Sequence, residues 1–154
     1  MKTVIVCHSE SHGNTRRVAE AIGGPLEAEV VALDDVDAAE LPASDLVGFG
    51  SGIFLRAFHP RLRRFVDALA DGGGRRAFVF ATSGLPEGGY QRFGRPLVRQ
   101  LESRNFDVVD TFSCRGFDTW FPFKIVGGIR KGRPDACDLD AAREFGRRLR
   151  DRRG

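Results

Sequence analysis

Ser9, Ser11, Asn14 and Thr15 fall within one seven-residue stretch that also holds Glu10, His12 and Gly13. The stretch lies between the apolar run Val4-Ile5-Val6-Cys7 and the helical pattern Arg16-Arg17-Val18-Ala19-Glu20-Ala21-Ile22. A strand that turns into a helix through such a segment gathers three hydroxyls, one amide and the unpaired N–H groups of the helix start at one point. That donor set suits an anion, and a phosphate first of all, without Lys or Arg. The same residue types also cap helices, so the loop by itself leaves a polar cap open as the alternative.

Counting excludes three other phosphate chemistries. A Walker loop needs Gly-Lys followed by Ser or Thr, whereas Gly13 is followed by Asn14 and Thr15. A cysteine phosphatase loop needs Arg six residues after Cys7, and that position is Gly13. A phospho-acceptor receiver domain needs acidic residues ending its first strand and Asp ending its third, where this chain has Cys7-His8-Ser9 and Gly50-Ser51-Gly52.

Three further stretches carry candidate binding residues. Gly50-Ser51-Gly52-Ile53-Phe54-Leu55-Arg56-Ala57-Phe58-His59 combines glycines, which allow close backbone approach, with side chains that cover a ring. Thr82-Ser83-Gly84-Leu85-Pro86-Glu87-Gly88-Gly89-Tyr90 is a second Gly-rich turn, and Cys114-Arg115-Gly116-Phe117-Asp118-Thr119-Trp120-Phe121-Pro122-Phe123 opens an irregular stretch reaching about Pro134. A connection that long in a small domain is usually functional. Together with the first loop they describe a slot for a planar phosphorylated ligand.

The elements that must bring these stretches together are legible from periodicity. Continuous apolar runs at Thr3 to Cys7, Ala28 to Leu33, Leu46 to Phe49, Ala77 to Ala81 and Phe106 to Phe112 predict five strands buried on both faces. Helical patterns at Asn14 to Gly23, Pro60 to Asp71, Gln91 to Arg104 and Leu139 to Arg152 separate them, and Asp34 to Ser44 is a short helix or a loop. In the second helix Leu62, Phe65, Val66 and Leu69 form one stripe; in the fourth, Ala142, Phe145, Gly146 and Leu149 do. The alternation makes right-handed βαβ units, hence an α/β fold, a doubly wound three-layer sandwich with a five-stranded parallel sheet in the order 2-1-3-4-5. Ligands of such sheets bind beyond the carboxyl ends of the strands, near the point where the chain reverses direction.

Composition narrows the class. The 154 residues suit one domain spanning 1–154, and 42% hydrophobic with 29% charged residues excludes global disorder. The net charge of +3 comes from arginines concentrated in Arg143, Arg147, Arg148, Arg150, Arg152 and Arg153, which read as the solvated face of the last helix. No nucleic-acid motif accompanies them, so nucleic acid is not expected as a partner. Cys7, Cys114 and Cys137 form no disulfide set or C-x-x-C pair, and no signal peptide or long apolar run is evident, which predicts a reducing cytoplasm and no membrane insertion. Cys7, inside a strand pattern, reads as a small core residue.

As a set, Ser-x-Ser-His-Gly-Asn-Thr after the first strand, Gly50-Ser51-Gly52-Ile53-Phe54, Cys114-Arg115-Gly116-Phe117-Asp118-Thr119-Trp120, and Gly127-Gly128-Ile129-Arg130-Lys131-Gly132-Arg133-Pro134 resemble the flavodoxin family, in particular short flavodoxin-like proteins of bacteria and archaea. The resemblance runs over nearly the whole chain. It implies that Ser9, Ser11, His12, Gly13, Asn14 and Thr15 bind the phosphate of FMN. It also implies that Ser51, Gly52, Ile53 and Phe54 border the isoalloxazine, with Thr82, Ser83 and Gly84 on its other side. Tyr90 and Trp120 are the aromatic candidates for stacking beside Phe54, and the last loop brings Cys114, Gly116, Phe117 and Asp118 to the cofactor. Three departures stand out: Glu10 where many members have a hydroxyl, an altered aromatic pair, and Arg56 and Arg115 in ring-side loops of a family that is typically acidic.

The function implied is an FMN-binding electron carrier, monomeric or a weak homodimer, serving a flavin or iron–sulfur reductase and an acceptor, with no catalytic residue and no metal required. One rival is an FMN-dependent NAD(P)H:quinone-type reductase, for which His12, His59 and Tyr90 are candidate proton donors. Another is a flavodoxin-like interaction module that binds no flavin.

Overall fold

Each apolar run reads out as a strand in the computed structural model, which describes residues 2–8, 14–41, 43–54, 57–82, 87–114 and 136–152. The strands are β1 (Thr3–His8), β2 (Glu29–Ala32), β3 (Leu46–Phe54), β4 (Ala57–Phe58), β5 (Arg76–Thr82) and β6 (Asp107–Cys114). The helices are α1 (Asn14–Leu26), α2 (Pro60–Asp67), α3 (Glu87–Ser103) and α4 (Ala136–Asp151). The sheet order is β2-β1-β3-β5-β6, all parallel, which is the expected 2-1-3-4-5. The two residues of β4 fold back antiparallel on the end of β3, with Ile53 opposite Phe58.

The period of two along each strand divides the core into two layers. Val4, Val6, Val47, Phe49, Val79 and Ala81 face one way and pack with Leu62, Phe65 and Val66 of α2 and Leu97 and Leu101 of α3. Ile5, Cys7, Phe78 and Phe80 face the other way and pack with Val18 and Ile22 of α1 and Ala142, Phe145 and Leu149 of α4. Both predicted helical stripes are therefore the buried faces. On the outside of α4, Arg143 pairs with Asp140 at 2.6 Å and Arg147 with Glu144 at 3.0 Å, as a solvated basic face requires.

Of the boundaries that differ from the sequence reading, three have a local physical reason. β3 continues through Gly50, Ser51 and Gly52 to Phe54, where a loop was expected. The reason is packing: a Cβ on Gly48 would lie 2.3 Å from the Phe78 ring, and one on Gly50 would lie 2.3 Å from the Phe80 ring. Gly50 is thus a glycine because its neighbour's ring occupies the space, and not because a ligand approaches it. The helix expected from Gln91 starts at Glu87, so Tyr90 lies in a helix and not at the end of a loop. Gly88 and Gly89 read as breakers by propensity, but a first turn tolerates them because the helix beyond supplies the packing. α2 stops at Asp67, short of Asp71, whose carboxylate accepts from the Gly73 N–H at 2.7 Å and the Asn105 amide at 2.6 Å.

Cys7 is 2% exposed, and burial pushes its thiol up to about 11 from 9.0, with Arg16 opposing and Glu20 adding to the shift. The unfolded chain therefore releases this proton first as pH rises, and the folded state loses stability between pH 9 and about 11. Over those two pH units, at about 1.4 kcal/mol per unit, the loss approaches roughly 3 kcal/mol. Denaturant titrations across that range are expected to show it in the wild type and to show a shallower decline in Cys7→Ala.

Candidate functional site

The strand register sets the site. Ser51 lies opposite His8 on one side and Ala81 on the other, and Gly52 lies opposite Thr82, which in turn faces Cys114. The carboxyl ends of β1, β3, β5 and β6 thus bring His8, Ser51, Gly52, Thr82 and Cys114 to one edge. α1 begins from that edge with Asn14 and Thr15, and α3 with Glu87 to Tyr90.

The first turn of α1 is bound to the end of β5. Thr15 Oγ1 and Thr82 Oγ1 are 2.9 Å apart, and the two residues are 4% and 6% exposed. Thr82 follows Phe78 and Phe80 at a spacing of two, so its side chain points to the α1 face, and its hydroxyl lies 3.6 Å from where a Cβ on Gly52 would be. Gly52, unlike Gly48 and Gly50, therefore has no ring of the described residues over it. The first turn of α1 contains no acidic residue. Helix N-termini usually attract Asp or Glu, so a turn without a carboxylate keeps its positive end available for an anion from outside the chain.

On the opposite face, Ser51 is fully buried. Its hydroxyl donates to the Gly52 carbonyl at 2.8 Å and accepts the His59 N–H at 3.1 Å. Ser51 therefore fixes the path of the backbone at Gly52 and holds the start of α2 against β3. His59 Nδ1 accepts the Arg61 N–H at 3.1 Å and caps α2. The rings of His8 and His59 lie 4.2 Å apart between centroids, inclined by 46°. His8 carries no motif, but it follows Val4 and Val6 at a spacing of two at the end of β1, and that alternation points it to the α2 side at the binding edge. Arg61, an exposed arginine of α2, pairs with Asp34.

Thr15, Ser51, Gly52 and Thr82 are thus brought to a common edge, and the backbones of Asn14, Ile53, Phe54, Tyr90 and Cys114 lie at the ends of the elements that meet there. Ser9, Ser11, His12, Gly13, Ser83, Gly84, Gly116, Phe117, Asp118 and Trp120 lie outside the described residues, as do Glu10, Arg56 and Arg115. Among the described residues no cluster of His, Cys, Asp and Glu could hold a metal ion, and no helix is long and apolar enough to cross a membrane.

The sequence profile of the flavodoxin domain matches residues 5–109, from β1 into β6. An uncharacterised protein of Methanocaldococcus jannaschii is 33% identical over 149 residues, 97% of this chain and 98% of its own. Among solved structures, oxidised Flavodoxin 2 from Bacillus cereus superposes with a TM-score of 0.73 at 20% identity, covering 99% of both chains. The flavodoxin, WrbA-like protein from Agrobacterium tumefaciens superposes with a TM-score of 0.74 at 21% identity, covering 97% of this chain and 95% of that one. At these identities the two structures speak for the fold.

Proposed function

Because the chain belongs to the flavodoxin family, we propose that it binds FMN at the carboxyl edge of its sheet and carries electrons between redox partner proteins. The observation that carries this reading is the first turn of α1, which presents a buried Thr15 and no acidic residue at the point where β1, β3 and β5 end. A dianionic phosphate fits that donor set: helix N–H groups and hydroxyls donate to it, and no carboxylate in the turn repels it. Ser9, Ser11, His12, Gly13 and Asn14 would complete the cradle.

Gly52, Ile53 and Phe54 would border one side of the ring, with the backbone there held by Ser51. Ser83, Gly84 and Tyr90 would approach from the β5 side, and Cys114, Gly116, Phe117, Asp118 and Trp120 from beyond β6. Bound FMN supplies one- and two-electron redox chemistry. The chain's part is to hold the phosphate, orient the ring and limit its access to water, and none of that requires a general base or nucleophile. The partners proposed are a flavin or iron–sulfur reductase and an acceptor, met by a monomer or weak homodimer in the cytoplasm.

Purified protein is expected to carry FMN, or to take it up on titration, with an absorption band at about 450 nm from the oxidised flavin. A colourless protein that takes up no FMN overturns the proposal in favour of a flavin-free interaction module. Without an added reductase, NAD(P)H oxidation by a quinone is expected to be slow; rapid turnover would identify a reductase instead.

A further inference from the structure

We infer that Thr82 is a positioning residue for the phosphate, acting through Thr15: its hydroxyl donates to Thr15 Oγ1 and thereby turns the Thr15 proton toward the anion. The inference rests on the FMN reading above and adds to it a role for a residue that the family resemblance assigns to the ring.

Each threonine hydroxyl has one proton, so a pair 2.9 Å apart uses one of the two protons between them. If Thr15 donates to Thr82, Thr15 presents only lone pairs to its surroundings and repels an anion. If Thr82 donates, Thr15 keeps its proton for the phosphate. An anion against the first turn of α1 selects the second arrangement, because a chain of donors that ends on a negative charge polarises in one direction. Both hydroxyls belong to residues withdrawn from water, so solvent competes poorly for either proton.

The direction of the Thr82 side chain supports this role over a contact with the ring. It continues the Phe78, Phe80 row of β5 on the α1 face, away from the Ser51 side of the strand ends. The bond also joins residues 67 positions apart, fixing the first turn of α1 to the strand beside the switch point. Loss of the Thr82 hydroxyl would free both the Thr15 rotamer and its proton.

The test compares dissociation constants for FMN and for riboflavin, which lacks the phosphate, by flavin fluorescence quenching. Thr82→Val is expected to weaken FMN binding by about tenfold, the scale of one lost hydrogen bond in a charged chain, and to leave riboflavin binding unchanged. Thr82→Ser is expected to restore the wild-type ratio. In a Thr15→Val background, adding Thr82→Val is expected to change nothing further. Thr82→Ala serves as a second variant should valine disturb the fold, with the thermal midpoint of each apoprotein as the control. Equal losses for FMN and riboflavin, or an FMN affinity unchanged in Thr82→Val and Thr82→Ala, overturn the inference. A wild type that binds neither flavin overturns the function reading itself, whereas a wild type that binds FMN tightly with a ratio insensitive to Thr82 overturns this inference alone.

Discussion

Asn14→Asp combined with Thr15→Ala is expected to weaken FMN binding by two to three orders of magnitude while leaving stability within about 1 kcal/mol of the wild type. Residue 14 is the first residue of α1, so the new carboxylate stands beside the site proposed for the phosphate. Two unit charges roughly 5 Å apart at an effective dielectric constant of about 20 repel by about 3 kcal/mol. Removing the Thr15 hydroxyl adds about 1 kcal/mol or more. The same carboxylate favours the helix, since a negative charge at a helix N-terminus contributes about 0.3–1 kcal/mol, which offsets the loss of the Thr15–Thr82 hydrogen bond. Affinity and stability thus move independently, and fluorescence titration beside a thermal melt separates them. Unchanged FMN affinity in the folded double variant would reduce the segment to a helix cap.

Gly146→Ala is expected to lower stability by about 3 kcal/mol and the melting midpoint by roughly 6–12 °C. A Cβ on Gly146 would lie 2.2 Å from the Ile22 carbonyl oxygen and 3.1 Å from its carbon. These are backbone atoms of α1, so no rotamer change relieves the clash and the two helices must move apart. The layer between them, built on Phe145, Ile22 and Val18, loosens with them. Arg147→Ala, one residue further along α4, removes an exposed pair with Glu144 and is expected to shift stability by less than about 0.5 kcal/mol. Differential scanning calorimetry of the two variants measures the contrast directly. Equal midpoints would mean that α4 does not need its close approach to α1.

The fold was legible because burial on both sheet faces leaves a signature in consecutive residues: Val4-Ile5-Val6 and Ala77 to Ala81 are apolar at every position. The helical stripes were legible for the related reason that one face of each helix meets the sheet. What misled was glycine. At Gly50 and Gly52 the chain carries no side chain to register a strand, and the material that fills the space at Gly50 is supplied by β5, about thirty residues away in sequence. At Gly88 and Gly89 the local preference against helix is overruled by the rest of α3. Thr15 and Thr82 were each legible as polar residues at element ends, but their hydrogen bond depends on how α1 lies across the sheet, which no local pattern encodes. His59 stood out as a titratable residue in a candidate loop, whereas its ring caps α2, a role that only the helix start at Pro60 discloses.

The rings over β3 also bear on how this sequence can drift. Phe78 fills the space above Gly48, and Phe80 that above Gly50, so each pair is a single volume divided unequally between neighbouring strands. A side chain gained on β3 is admissible only where the ring opposite has already shrunk, and a smaller residue on β5 leaves a void until β3 grows to meet it. The permitted paths therefore run through paired replacements, and descendants of this chain keep the glycine–phenylalanine partition intact or exchange both halves together.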